Sequence, residues 1–165
     1  MDKYYYLISQ LPALVFDKNT YMSTELFLEE AQKWMNVRDL SLLYQVNIYE
    51  TDVNDKLPAD IRRFQIHEKK FRTEIAAWRG SQKSGLEYKP TLFPVSLLKE
   101  GNPLEVEKKL LYARWHFINE IEGEHHFDLV YLMLYFLKLQ ILNRLMSYDK
   151  QKGMETFQKV SKVTL

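Results

Sequence analysis

Apolar residues recur along most of this chain at intervals of three and four, the spacing of amphipathic helices rather than of half-buried strands. The first clear case begins at Ser23, a favourable N-cap, with Glu25 well placed against the helix dipole and Phe27, Ala31 and Trp34 on one row. Glu29 stands four residues before Lys33, a spacing that supports a helix. A second helix is expected from Asn36, with Asp39 at the third position of a capping-box-like start and Leu40, Leu43 and Tyr44 along it. Asp52 to Asp55 and Pro58 should end it. A third runs from about Asp60 to Gly80, where Ile61, Phe64, Phe71, Ile75 and Trp78 form a narrow seam.

From Gly80 to Pro103 the periodicity lapses, and Gly85, Pro90, Pro94, Gly101 and Pro103 punctuate the chain. Leu92, Phe93, Val95, Leu97 and Leu98 make this stretch too apolar for a solvated tether, so part of it should dock. Asn102-Pro103 restarts a helix, with an N-cap followed by proline at the first helical position. Val106, Leu110, Ala113, Phe117 and Ile121 form one row, and Leu104, Leu111, Trp115 and Ile118 a second beside it, up to a stop at Gly123. Asp128 opens the next helix, which is apolar all round from Leu129 to Leu137 and is therefore enclosed by neighbours or by a partner. A shorter polar helix is expected after Asp149, toward Val163. Tyr4 to Leu11 fits a strand or a short helix stopped by Pro12 equally well, and Asp17-Lys18-Asn19 reads as a turn.

These elements predict an all-α protein, an antiparallel bundle of five to six helices forming one domain over residues 1–165. Sub-lobes are expected at 1–84 and 102–165, joined by a Pro/Gly-containing linker at 85–101. With 46% hydrophobic and 14% aromatic residues, the 165-residue chain can fill a sizeable core. The absence of cysteine, with no export signal at Met1-Asp2-Lys3-Tyr4-Tyr5-Tyr6, points to a reducing, cytoplasmic compartment. The apolar run closed by Lys138 is shorter than the roughly 20 residues needed to cross a bilayer, so no membrane insertion is expected. Net charge is +1, but residues 1–60 carry −5, residues 61–100 carry +5 and residues 101–165 carry +1. That balance argues against a nucleic-acid footprint over the whole chain and leaves room for a local basic face.

Arg62, Arg63, Lys69 and Lys70 project opposite the seam of the third helix, with Ile66 among them. An apolar residue inside a basic face favours protein contact, although a solvated helix face has the same composition. The Pro90–Gly101 loop is a second candidate contact. Glu120, Glu122, His125 and His126 are the densest group of metal-ligand types, but adjacent histidines on a loop usually point apart. A polar interhelical corner with Asp128 as a cap is the favoured reading of them. His67-Glu68 starts like a zincin motif, then lacks the second histidine. Neither a phosphate-cradling glycine loop nor a nucleophile elbow occurs, and without cysteine no thiol nucleophile exists. No cofactor and no catalytic residue are therefore expected. Lys138, Gln140, Asn143 and Arg144 interrupt the apolar helix and should meet glutamates or backbone carbonyls.

Two stretches carry a resemblance. Tyr4-Tyr-Tyr-Leu-Ile-Ser-Gln-Leu-Pro-Ala-Leu-Val-Phe-Asp17 and Gly123-Glu-His-His-Phe-Asp-Leu-Val-Tyr-Leu-Met-Leu-Tyr-Phe-Leu-Lys-Leu-Gln-Ile-Leu-Asn-Arg-Leu-Met146 resemble an uncharacterised bacterial family encoded in operons for V-type (A/V-type) ATPases. The second stretch is also distantly similar to the C-terminal helix of an all-helical V-type ATPase adaptor, the one that seats the central rotor stalk on the membrane ring. The chain is about half the size of that complete adaptor, and its Lys138…Asn143-Arg144 order departs from the adaptor's usual Glu-plus-Arg-Asn pattern. No binding residue carries over.

The resemblance implies a non-enzymatic cytosolic subunit or assembly factor of a V-type ATPase, binding near the central stalk and peripheral to the inner face of the membrane. Arg62, Arg63, Ile66, Lys69 and Lys70 would form the contact face. Two readings from other classes remain beside it: a small metal-dependent enzyme using Glu120, Glu122, His125 and His126, and nucleic-acid binding through the basic helix 60–80.

Overall fold

A computed structural model describes residues 4–18 and 22–163. All regular structure among these residues is helical: α1 (Tyr5–Gln10), α2 (Thr24–Trp34), α3 (Val37–Leu43), α4 (Ala59–Ser84), α5 (Ser96–Lys99), α6 (Pro103–Glu122) and α7 (Leu129–Val163). The all-α expectation holds.

Local chemistry explains most helix starts. The Ser23 hydroxyl accepts from Leu26 N–H, and the Asn36 side chain accepts from Asp39 N–H. Asn102 and Glu105 close a reciprocal capping box before Pro103. Each such cap is worth about 1 kcal/mol. Asp128 Oδ1 accepts from Tyr131 N–H at 2.9 Å and so caps α7. Gly85, at φ 74°, ends α4 in the left-handed conformation that only glycine adopts without strain.

Helix α7 is the axis of the fold and touches α2, α3, α4 and α6. Leu132, Met133, Leu134, Leu137, Leu139 and Ile141 are completely or almost completely buried. Around them gather Leu7 of α1, Phe27 and Ala31 of α2, Leu43 of α3, Ile61 and Phe64 of α4, and Trp115 and Ile118 of α6. The principal core thus draws on residues from both the 1–84 and the 102–165 stretches. A smaller core holds Phe71 and Ile75 of α4, Phe93, Leu98 of α5 and Leu110 of α6. The apolar residues of the 85–101 stretch dock there, as their composition predicts.

Residues 129–148 have a mean hydropathy of 1.3 and suffice by length to cross a bilayer, yet 72% of that window is buried in the fold. Its polar members behave as those of a core helix. Lys138 is ion-paired with Glu122, and Gln140 bridges the backbone of the 46–48 loop, accepting from Ile48 N–H at 2.8 Å and donating to Val46 C=O at 2.9 Å.

Several boundaries differ from the periodicity. Helix α3 stops at Leu43, well before Asp52, where Val46 and Ile48 turn inward and Gln140 accepts from Ile48 N–H and donates to Val46 C=O. Helix α4 passes through Gly80 to Ser84, since glycine tolerates a helix interior and the left-handed stop comes at Gly85. The two helices expected on either side of Asp149 are one continuous α7. Tyr4–Leu11 resolves as helix α1, tied to the α6–α7 corner by Tyr4 N–H donating to Phe127 C=O at 2.7 Å. The turn before α2 is present, with Asp17 at φ 60°, while its third member, Asn19, lies outside the described residues. Lys33 pairs with Glu30 at 2.6 Å rather than with Glu29.

Candidate functional site

Helix α4 carries seven basic and three acidic residues, and the fold sorts them by sign. Every carboxylate is used internally. Asp60 faces His125 at 2.5 Å. Glu68, 2% exposed, receives Arg72 Nε at 2.7 Å and Arg114 Nε at 2.9 Å. Glu74 accepts from the Thr91 hydroxyl, from Thr91 N–H and from Leu92 N–H. Burial opposes the Glu74 charge, but the bonds from Thr91 and Leu92, with Lys70 nearby, outweigh it and hold its pKa below the ordinary glutamate value. This carboxylate fastens the 85–101 stretch to α4.

What remains outward on α4 is positive. Arg63, Lys69, Lys70, Arg79 and Lys83 are exposed and Arg62 is half-buried. Among the described residues none of these six makes an ion pair. Ile66 lies between them, 58% exposed. The structure therefore brings Arg62, Arg63, Ile66, Lys69 and Lys70 onto one outward surface. Arg62 Nε is shielded from solvent with no acceptor, an exception of the kind that needs an explanation. His67, at the edge of this surface, stacks on Phe117 with ring centroids 3.7 Å apart. Burial depresses its pKa, so it adds no charge near neutral pH.

Sequence reading left out Arg79, which lies inside the helix it expected, and Lys83, which lies beyond the expected end at Gly80. It also set Trp34 on one row with Phe27 and Ala31, which are buried. The structure leaves Trp34 48% exposed against Tyr6, with ring centroids 4.3 Å apart, and Tyr5 against exposed Phe127 at 4.7 Å. The signal was available in Tyr4-Tyr5-Tyr6, since three consecutive residues of a helix cannot all face one core.

The Pro90–Gly101 stretch spends Pro90, Phe93 and Leu98 on burial, which leaves it a mainly structural cover over α4 and α6. A groove of about 570 Å³ lies beside it, walled by Trp78, Leu86, Tyr88 and Val95. Another cleft, of about 320 Å³, is lined by Ile75, Ala76 and Leu110 with Arg72, Arg79, Arg114 and the carboxylate of Glu107.

The four residues considered for a metal are dispersed among other partners. Glu122 pairs with Lys138, Glu120 lies 3.5 Å from His116, and His126 is exposed. His125 is held from both sides, Nδ1 to Asp128 at 2.7 Å and Nε2 to Asp60 at 2.5 Å. Among the described residues no group of three or more His, Asp or Glu is arranged to hold a metal ion.

Two carboxylates on the two ring nitrogens require both nitrogens to donate, so the structure favours imidazolium. Burial lowers the His125 pKa, but Asp128 and Asp60 more than offset it and the net shift is upward. The resulting stability is fully present below the unfolded value of about 6.5 and is lost as pH rises through the raised folded value. Denaturant unfolding between about pH 6 and 9 should show wild type losing stability relative to His125→Gln as the solution becomes alkaline. Parallel curves for the two proteins would remove this tie from the account.

The fold places the chain among all-helical proteins whose conspicuous surface is an outward basic helix. Residues 83–163 match the sequence model of a family described as "Protein of unknown function (DUF2764)". This agrees with the expected relationship to an uncharacterised family and covers α6 and α7, the hairpin that carries most of the core. No curated protein and no solved structure matches the chain.

Proposed function

We propose that this protein is a non-catalytic adaptor or assembly factor of a bacterial V-type ATPase, acting in the cytoplasm by helix-mediated protein binding near the central stalk. The observation that carries the binding role is the outward face of α4, where Arg62, Arg63, Lys69 and Lys70, without ion partners among the described residues, flank exposed Ile66. Isolated surface cations are ordinary. A face of one sign, whose own helix has turned all its carboxylates inward, is suited to steer and orient an oppositely charged partner.

The choice of a V-type ATPase rests on the resemblance of residues 4–17 and 123–146. Nothing in the arrangement of Glu120, Glu122, His125 and His126 favours the metal-dependent reading, since Lys138, Asp60 and Asp128 occupy two of the four.

Affinity capture from native membranes should recover ATPase subunits with the wild-type protein. Reversing Arg63 and Lys70 to glutamate should reduce that recovery by about tenfold or more, the equivalent of roughly 1.4 kcal/mol or above. Both side chains are exposed, so the folded state should be little affected. Recovery of no ATPase subunit by wild type, with the complex itself intact, would defeat the reading.

A further inference from the structure

The outward face of α4 has an internal order that narrows the kind of partner it fits. Ile66, Thr73 and Gly80 follow one another at seven-residue intervals, and so lie nearly in line along the helix. Arg63 and Lys70, also seven apart, run along one side of that line, and Lys69 and Lys83 along the other. The line is apolar at Ile66 and small at Thr73 and Gly80, with Ala76 and Ala77 beside it. Over 26 residues the helix is about 39 Å long.

Gly80 strengthens the case. Glycine is a poor helix former, and here a β-carbon would meet nothing within 4 Å. No internal contact requires its small size, and the open space there leaves room for close approach from outside.

Charge selects the occupant. Arg62, Arg63, Lys69, Lys70 and Lys83 have no ion partner among the described residues and call for carboxylates or phosphates. A bilayer surface is a poor fit, because membrane-lying helices bury a broad apolar face and this one offers a single isoleucine among small residues. Nucleic acid fits poorly as well. This outer face has no aromatic side chain on which a base can stack, and the whole chain has a net charge of only +1. A carboxylate-bearing helix satisfies both the seven-residue line and the flanking cations, in the manner of charged positions beside a coiled-coil seam.

We propose that α4 receives one acidic helix of a partner protein, lying along the Ile66–Thr73–Gly80 line with carboxylates toward Arg63 and Lys70 on one side and Lys69 and Lys83 on the other. Arg62 takes part by swinging outward, which gives its shielded Nε an acceptor. This inference rests on the reading that the protein works by binding other proteins, and it does not depend on which assembly it joins.

The test places a photo-crosslinking amino acid at exposed Thr73 of the full-length chain, added to detergent-solubilised native membranes, with the crosslinked peptides sequenced by mass spectrometry. The expected product is a segment of another polypeptide with acidic residues at helical spacing. Its yield should fall at least tenfold in Gly80→Trp and in Lys69→Glu/Lys70→Glu, and persist in Gly80→Ala. Circular dichroism should show all these variants folded, because the space around Gly80 is open and both lysines are exposed. Crosslinks to nucleic acid, to lipid, to a second copy of this chain or to a segment without acidic residues would overturn the proposal, as would undiminished yield in Gly80→Trp. Recovery of ATPase subunits with crosslinks absent from α4 would sink this inference while leaving the proposed function standing. An acidic helix from a protein outside the ATPase would do the reverse.

Discussion

Replacing Glu68 with alanine is expected to destabilise the protein by about 3–5 kcal/mol. The side chain is 2% exposed and accepts from Arg72 Nε at 2.7 Å and from Arg114 Nε at 2.9 Å. Arg72 also donates to Ile48 C=O at 2.6 Å, and Arg114 lies over the Phe71 ring at 5.1 Å. One carboxylate therefore ties α4 to α6 and, through Arg72, to the loop after α3. Its removal leaves two neighbouring guanidinium groups facing each other with no anion between them. Arg72 is 31% exposed and Arg114 13%, so water can reach the first more readily than the second. That difference puts the cost toward the lower end of the range and makes Arg114 the dominant contributor. Equilibrium unfolding in urea measures it. The double variant Glu68→Leu/Arg114→Leu should lose much less than the sum of the single changes, because it removes charges together. A loss below about 1 kcal/mol for Glu68→Ala would mean that the pair is solvated and holds nothing together.

Phe27→Ala is the second large effect, with about 3–5 kcal/mol lost. Phe27 is fully buried on α2 and packs against Tyr135 and Phe136 of α7, with ring centroids 5.4 and 5.6 Å away. Truncation removes the ring's transfer free energy and leaves a cavity between two long elements that cannot collapse freely around it. For a chain of this size the melting temperature should fall by roughly 6–20 °C. Phe27→Leu should recover a good part of that loss, because volume rather than aromaticity matters most there. A melting temperature unchanged by Phe27→Ala would show that α2 is not docked on α7 in solution. The N-terminal helices would then have to be separated from the core described above.

Much of the fold was legible because it is local. Ser23, Asn36, Asn102-Pro103 and Asp128 announce helix starts through side-chain acceptors for the first free N–H groups, and each acts in that way here. The all-round apolar run from Leu129 to Leu137 announced an enclosed helix, and that part of α7 is enclosed. The basic surface was legible for the same reason: Arg62, Arg63, Lys69 and Lys70 share a face by helical geometry alone.

Helix ends were harder to read. Gly80 carries the same local signal whether it stops a helix or sits within one, and only the left-handed Gly85 five residues later decides. The end of α3 depends on Gln140, which is distant in sequence and replaces the helical partners of the 46–48 backbone. Tyr4–Leu11 becomes helical in a context set by Asp39, which accepts from the Tyr4 hydroxyl, and by Phe127. No window of sequence contains these partners together.

Hydrophobic periodicity and capping chemistry alone determined that this protein is helical, where most of its helices start and which face of α4 is basic, because those properties are settled within a few residues. Tertiary structure alone decided how charges are spent. It placed Asp60, Glu68 and Glu74 inward, paired His125 with two carboxylates and Lys138 with Glu122, and left the outward cations of α4 without ion pairs among the described residues. Electrostatic pairing acts through space between residues far apart in the chain, so it becomes readable only once packing has brought them within a few ångströms of one another.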